Sequence, residues 1–142
     1  MTDQLAPDAA QMRLHLDILF SDLDALGPYP NGLFELRFLR PNGAPSTCKL
    51  FSWGDIDKAV EMAEQANANG MNGYVGVHPR KPGTSRAGQA ADVERACWQF
   101  VDCDDGDASA KLLELPFSPN FIVTTGTQPH TAAARLLHAR GT

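Results

Sequence analysis

Segments with helical and with strand periodicity alternate along this chain, and that alternation limits the folds open to it. Apolar residues recur at three- and four-residue steps over residues 12–26 and again over residues 55–69, which predicts two amphipathic helices. Gly27-Pro28 and Asn69-Gly70 are expected to end them. A shorter third helix is predicted over residues 107–115, with Asp107 as its N-cap.

Five strands are predicted around these helices. The first two are joined by the turn signal Pro41-Asn42-Gly43, which favours a hairpin. The predicted strands cover residues 33–40, 47–53, 73–78, 96–103 and 120–125. The order is therefore α-β-β-α-β-β-α-β, without a repeat or a low-complexity linker. This order is typical of a sheet with helices packed on it, of α/β or α+β class, and we expect a single domain over residues 1–142.

Composition excludes several classes of protein. The chain is 43% hydrophobic and 20% charged, as is usual for globular proteins, and its net charge of −5 argues against an extended basic surface. No apolar run reaches the length of about 18 residues that a membrane span needs. The N-terminus lacks the pattern of a signal peptide. The three cysteines lack metal-binding spacing, so we expect a cytoplasmic protein without structural zinc.

The strongest chemical signal is a pair of carboxylates at the end of an apolar strand. Trp98, Phe100, Asp102 and Asp104 share one strand face, which places the two aspartates about 6.6 Å apart. Carboxylates this close repel each other unless a cation lies between them, and Mg²⁺ or Mn²⁺ prefers such oxygen ligands. The alternative is an acidic strand-to-helix turn, a role that suits residues 105–107 better.

A basic loop precedes this strand. Residues 79–88 contain two prolines, two glycines and three cations, Arg80, Lys81 and Arg86. Arginine side chains and exposed loop amides can bind phosphate, so these cations are candidates for contacting a nucleic-acid backbone. The alternative is a solvated surface loop.

The fifth predicted strand runs into a third candidate segment. Thr125, Gly126 and His130 follow it in the sequence Thr-Gly-Thr-Gln-Pro-His, and such groups after a buried strand can bind an anion or a nucleotide. A purely structural histidine is the alternative.

The order of these three segments over residues 72–130 resembles the archaeo-eukaryotic primase superfamily, particularly the RepB-like and primase-polymerase proteins of plasmids, phages and prophages. The resemblance implies an α+β fold with an RRM-like mixed sheet and packed helices. It implies that Asp102 and Asp104 bind catalytic Mg²⁺ or Mn²⁺. It also implies that His130, with Thr125 and Gly126, contacts the phosphates of the incoming nucleotide.

The activity implied is primer synthesis on single-stranded DNA from nucleoside triphosphates, in a system that can include a helicase partner. The chain departs from the family in two places. Gln128 stands where the family often has serine, and residues 131–142 contain no Asp or Glu for the third acidic motif. This tail also does not resemble the extended segment that the family has after the histidine.

We therefore expect the N-terminal portion of a primase module, truncated and deficient in activity alone, and one hypothesis is that a frameshift replaced its continuation. Two alternatives remain open. One is a non-catalytic remnant of the same fold that binds nucleic acid or a replication partner. The other is a different metal-dependent nucleotide enzyme, such as a cyclase.

Overall fold

A computed structural model describes residues 6–20, 32–43, 45–103, 110, 114, 116, 121–124 and 133–137. The chain divides into two compact units, Met1–Arg95 and Ala96–Thr142, and each is described by itself. Helices and largely antiparallel strands make the fold α+β, which confirms the predicted class. Among the described residues, no helix is long and apolar enough to cross a membrane.

In its described residues, the first unit contains a three-stranded sheet and two helices. In chain order these elements are α1 (Ala9–Phe20), β1 (Leu33–Leu39), β2 (Ser46–Ser52), α2 (Ile56–Ala68) and β3 (Asn72–Val75). The strand order is β2-β1-β3, and both neighbours of β1 are antiparallel to it. Two single-turn 3₁₀ helices, Trp53–Asp55 and Ala90–Asp92, also lie among the described residues of this unit.

The predicted hairpin and the predicted end of α2 are both confirmed. Gly43 closes the turn between β1 and β2 with a φ of 82°, a value that glycine adopts without steric cost. Gly70, with a φ of 77°, ends α2. Its N–H and that of Met71 donate to the carbonyls of Asn67 and Ala66, which is the hydrogen-bond pattern of a Schellman motif.

The first helix differs from its prediction at the N-terminal end. The predicted helix begins at residue 12, but α1 begins at Ala9 because the Asp8 carboxylate accepts a hydrogen bond from the N–H of Gln11 at 3.0 Å. This bond satisfies one of the amides that a helix start leaves without an intrahelical partner. Residues 21–26 of the predicted helix lie outside the described residues.

The core of the first unit lies between the helices and one face of β1. Phe34, Leu36 and Phe38 alternate along β1 toward this face, and all three are buried. Residues from both helices cover them: Leu16, Leu19, Phe20, Ala59 and Val60. An ion pair between Arg13 and Asp57 also joins the two helices.

The second unit contains a three-stranded sheet in the order β4-β6-β5, formed by β4 (Gln99–Cys103), β5 (Phe121–Thr124) and β6 (Ala133–Leu137). β6 is antiparallel to both neighbours, so β4 and β5 run parallel to each other. β6 lies within residues 131–142, where no strand was predicted. Most of the helix predicted over residues 107–115 lies outside the described residues.

Candidate functional site

The two motif segments leave the second sheet at the same end. β4 ends at Cys103, directly before Asp104, and β5 ends at Thr124, directly before Thr125. Cys103 and Thr124 both pair with Ala133 of β6, so their backbones lie at one level of the sheet. Two strand spacings separate them, about 9–10 Å.

The backbone of Asp102 belongs to β4, where it pairs with Ala134 of β6. Val123 of β5 pairs with the same alanine from the other side. The remaining predicted residues of this end lie outside the described residues: Asp104, Thr125, Gly126 and His130. Within the part of the chain that the structure describes, no three or more His, Cys, Asp or Glu side chains cluster in a way that could hold a metal ion.

Arg80, the first cation of the basic loop, is mostly buried in the first unit. Its side chain is 12% exposed, and its Nε donates to Glu35 Oε2 at 3.0 Å. Its Nη1 donates to the carbonyl of His78 at 3.2 Å. Backbone bridges to Leu33 and Val93 hold the same residue between β1 and the returning loop. These contacts fasten the loop to the sheet, and contact with a phosphate stays a prediction.

Lys81 and Arg86 are the accessible cations of the loop. Lys81 Nζ donates to the carbonyl of Ala91 at 2.8 Å, and its residue is exposed. Arg86 pairs with Asp92 at 2.6 Å, with 58% of its side chain exposed. His78 adds no full charge near neutral pH, because burial, together with the nearby Arg80 guanidinium, lowers its pKa.

A buried carboxylate, Glu35, organises this loop, and the sequence analysis did not single it out. Glu35 is 1% exposed and accepts hydrogen bonds from the Nε of Arg37, from the Nε of Arg80 and from the N–H of Gly88, the last at 2.8 Å. Burial alone would raise the pKa of Glu35, but these three donors hold it below its ordinary value. Glu35 is therefore a charged, fully paired anchor for the loop.

Two glycines leave the space that this ion-pair cluster occupies. A Cβ at Gly88 would collide with the Arg80 side chain and with Glu35 Oε2, and a Cβ at Gly76 would lie 2.7 Å from Arg80 Nη2. Arg37 Nη2 also donates to the carbonyl of Gly88 at 2.8 Å. Gly76 and Gly88 are the sequence signal that could have indicated this cluster, since glycine allows the backbone to approach charged side chains closely.

No protein-family model, curated protein or solved structure matches this chain. The motifs and the geometry of the described residues are therefore what a functional assignment can rest on.

Proposed function

We propose that this chain is a primase-polymerase-type nucleotidyltransferase module that synthesises primers in plasmid, phage or prophage replication. Its fold would be that of the archaeo-eukaryotic primase core, an RRM-like mixed sheet with packed helices. Asp102 and Asp104 would hold Mg²⁺ or Mn²⁺. His130, with Thr125 and Gly126, would bind the phosphates of the incoming nucleoside triphosphate.

The observation that carries this proposal is the common exit of β4 and β5 from the second sheet. Nucleotidyl transfer needs metal-binding carboxylates beside groups that bind a triphosphate, and the two parallel strands that precede the motif segments end at one level of the sheet. The ends of the two strands lie about 9–10 Å apart, one on each side of β6. The donor set suits the metal, because carboxylate oxygens are the ligands that Mg²⁺ and Mn²⁺ prefer.

In this arrangement each group has one task. The bound divalent ions would supply charge stabilisation at the triphosphate and activation of the primer hydroxyl. Asp102 and Asp104 would hold those ions. His130 would donate a hydrogen bond to a phosphate oxygen, and the hydroxyl and backbone N–H groups of Thr125 and Gly126 would orient the same phosphates.

Metal binding is expected to stabilise the wild-type chain but not the variant Asp102→Asn/Asp104→Asn. At about ten times its Kd, Mn²⁺ adds about 1.4 kcal/mol to the free energy of unfolding. In a chain of this size that corresponds to a rise in melting temperature of about 3–5 °C. Thermal unfolding followed by circular dichroism, with and without Mn²⁺, measures the difference.

The matched control is Asp105→Asn/Asp107→Asn, which removes the same charge from the neighbouring positions. It should keep the Mn²⁺-dependent rise, since Asp105 and Asp107 are assigned to the turn. An equal rise in both double variants contradicts the metal pair. Primer synthesis on single-stranded DNA then identifies the reaction. Cyclisation of free nucleotide would instead indicate a cyclase.

A non-catalytic protein of the same fold that binds nucleic acid is the second candidate, since binding needs only exposed cations such as Lys81 and Arg86 of the basic loop. Both candidates need phosphate contacts from the accessible cations of the basic loop. We expect Lys81→Ala and Arg86→Ala each to reduce the slope of log affinity against log salt by about 0.7 for single-stranded DNA. Titrations at several salt concentrations measure that slope.

The control for these two variants is Lys58→Ala. Lys58 is also an exposed cation in an ion pair, with Asp55 at 2.7 Å, but it lies on α2. Its removal should leave the salt slope unchanged. A slope that is the same in wild type, Lys81→Ala and Arg86→Ala would remove the basic loop from the binding surface.

A further inference from the structure

The first sheet has a second face, opposite the helices, on which an aromatic and a basic side chain lie side by side. Side chains alternate along β1, so Glu35 and Arg37 point away from the buried face formed by Phe34 and its neighbours. We call this opposite side the outer face, and its central row is Cys48, Arg37 and Tyr74, one residue from each strand. Arg37 pairs with Cys48 of β2 on one side and with Tyr74 of β3 on the other.

Tyr74 is the exposed member of this row. Its residue is 54% exposed, and only one other large hydrophobic residue among the described ones, Leu14 on α1, is comparably exposed. Residues directly opposite each other in an antiparallel pair have neighbouring side chains, so the tyrosine ring projects from the sheet beside Arg37. An aromatic ring mounted on a strand presents a flat apolar surface at low cost in conformational entropy.

Arg37 is oriented before any ligand binds. Its Nε donates to Glu35 Oε1, and its Nη2 donates to the carbonyl of Gly88 at 2.8 Å. Because two contacts hold it while 42% of its side chain stays exposed, its planar guanidinium has a restricted position at the surface. A guanidinium of this kind can stack on a base and bind a phosphate oxygen.

The charge around the outer face suits a polyanion. Residues 74–95 contain four basic side chains and two acidic ones, although the whole chain has a net charge of −5. This segment continues from β3 along β1. The backbone N–H of Gly76 donates to the carbonyl of Glu35 at 2.9 Å, and the backbone N–H of Arg80 donates to the carbonyl of Leu33 at 2.7 Å. The accessible cations Lys81 and Arg86 therefore belong to a loop that starts at the edge of this face.

We propose that Tyr74 and Arg37 form a stacking platform for an unpaired base of single-stranded DNA, with the loop cations contacting its phosphates. Surfaces that bind single strands combine these two elements, an exposed aromatic ring and nearby positive charge. The choice of DNA rests on the proposed function. The platform itself requires neither the aspartate pair nor catalysis, so the two proposals can fail separately.

The test is the affinity of the full chain for a fluorescently labelled oligodeoxythymidylate, measured by anisotropy in EDTA so that metal binding does not contribute. Tyr74→Ala should weaken binding by about tenfold, the effect of losing one base–aromatic stack. Tyr74→Phe keeps the ring and should bind within about twofold of the wild type. For a labelled duplex, whose bases are already stacked, Tyr74→Ala should have no such effect.

Leu14→Ala is the matched control, because it also removes an exposed apolar side chain of the first unit. It should bind as tightly as the wild type. Thermal unfolding of each variant verifies that the fold is retained. The platform is overturned if the wild type does not bind the single strand, if Tyr74→Ala binds it as tightly as the wild type, or if Leu14→Ala loses as much affinity. If Mn²⁺ did not stabilise the wild type, the metal pair would be contradicted but the platform would not. If Tyr74→Ala did not weaken binding, the platform would be contradicted but the metal pair would not.

Discussion

Replacing Glu35 with glutamine is expected to lower the free energy of unfolding by about 3 kcal/mol. The amide has nearly the same shape, so the loss arises from charge and hydrogen bonding rather than from a cavity. Arg80, at 12% exposure, would lose the anion that compensates its charge. The new amide N–H₂ would also face donors, since N–H groups of Arg37, Arg80 and Gly88 all donate to this carboxylate. Urea unfolding followed by tryptophan fluorescence measures the loss.

Asp55→Asn provides the comparison for Glu35→Gln. Hydrogen bonds from Lys58 and from Ser52 lower the pKa of Asp55, so it too is an ion-paired carboxylate. The Lys58 side chain is 74% exposed, however, and solvent screens such a pair. We expect little change in stability from Asp55→Asn. If Glu35→Gln lowered the free energy of unfolding as little as Asp55→Asn, the buried cluster would not hold the loop to the sheet.

The same cluster predicts a dependence of stability on pH. The folded-state pKa of Glu35 lies below its ordinary value of 4.5. Its contribution is therefore complete above about pH 4.5 and is lost as the pH falls through the folded-state pKa. The difference in unfolding free energy between wild type and Glu35→Gln should shrink over that acidic range. A difference that stays constant down to the acid transition would contradict a charged Glu35.

Replacing Phe34 with alanine is expected to cost about 4 kcal/mol of unfolding free energy. Phe34 is fully buried at the centre of an aromatic cluster. Its ring centroid lies 4.8 Å from that of Phe20, 5.5 Å from that of Phe51 and 6.2 Å from that of Trp53. Truncation removes all three contacts and leaves a cavity that rigid neighbouring rings fill poorly. The measurement is again denaturant unfolding.

Leu14→Ala calibrates this second prediction. Leu14 is 55% exposed on α1, so its truncation removes apolar atoms without opening a cavity. Phe34→Leu, which keeps part of the buried volume, should fall between Leu14→Ala and Phe34→Ala. If Phe34→Ala were no more destabilising than Leu14→Ala, the packing of α1 against β1 through Phe20 and Phe34 would be wrong.

Local patterns were sufficient to predict most elements of the first unit. The helices and strands follow hydrophobic periodicity, and Gly43 and Gly70 stand where the turn and the helix end need a positive φ. The start of α1 was missed because its signal is a single cap, Asp8, rather than an apolar repeat. The burial of Glu35 was missed for a different reason. Alternation along a strand identifies a second face but not the distant loop that covers it.

β6 could not be predicted because its sequence favours another structure. Ala133–Leu137 reads Ala-Ala-Arg-Leu-Leu, which consists of good helix formers without a β-branched residue. It is extended because strands on both sides supply hydrogen-bond partners, a tertiary effect that overrides local preference. For the candidate site, the residue types of Asp102 and Asp104 were readable from the sequence. That β4 and β5 end at the same level of the sheet could not be predicted, since it depends on β6 between them.

The position of β6 also determines when the second sheet can assemble. Every described strand pair of this sheet includes β6, and β6 is the last of its strands in chain order. During synthesis from the N-terminus, β4 and β5 therefore emerge before the strand with which each one pairs. Until it arrives, both have unpaired backbone edges of the kind that promote association between chains. A chain that ended before residue 133 would therefore lack the strand with which both β4 and β5 pair.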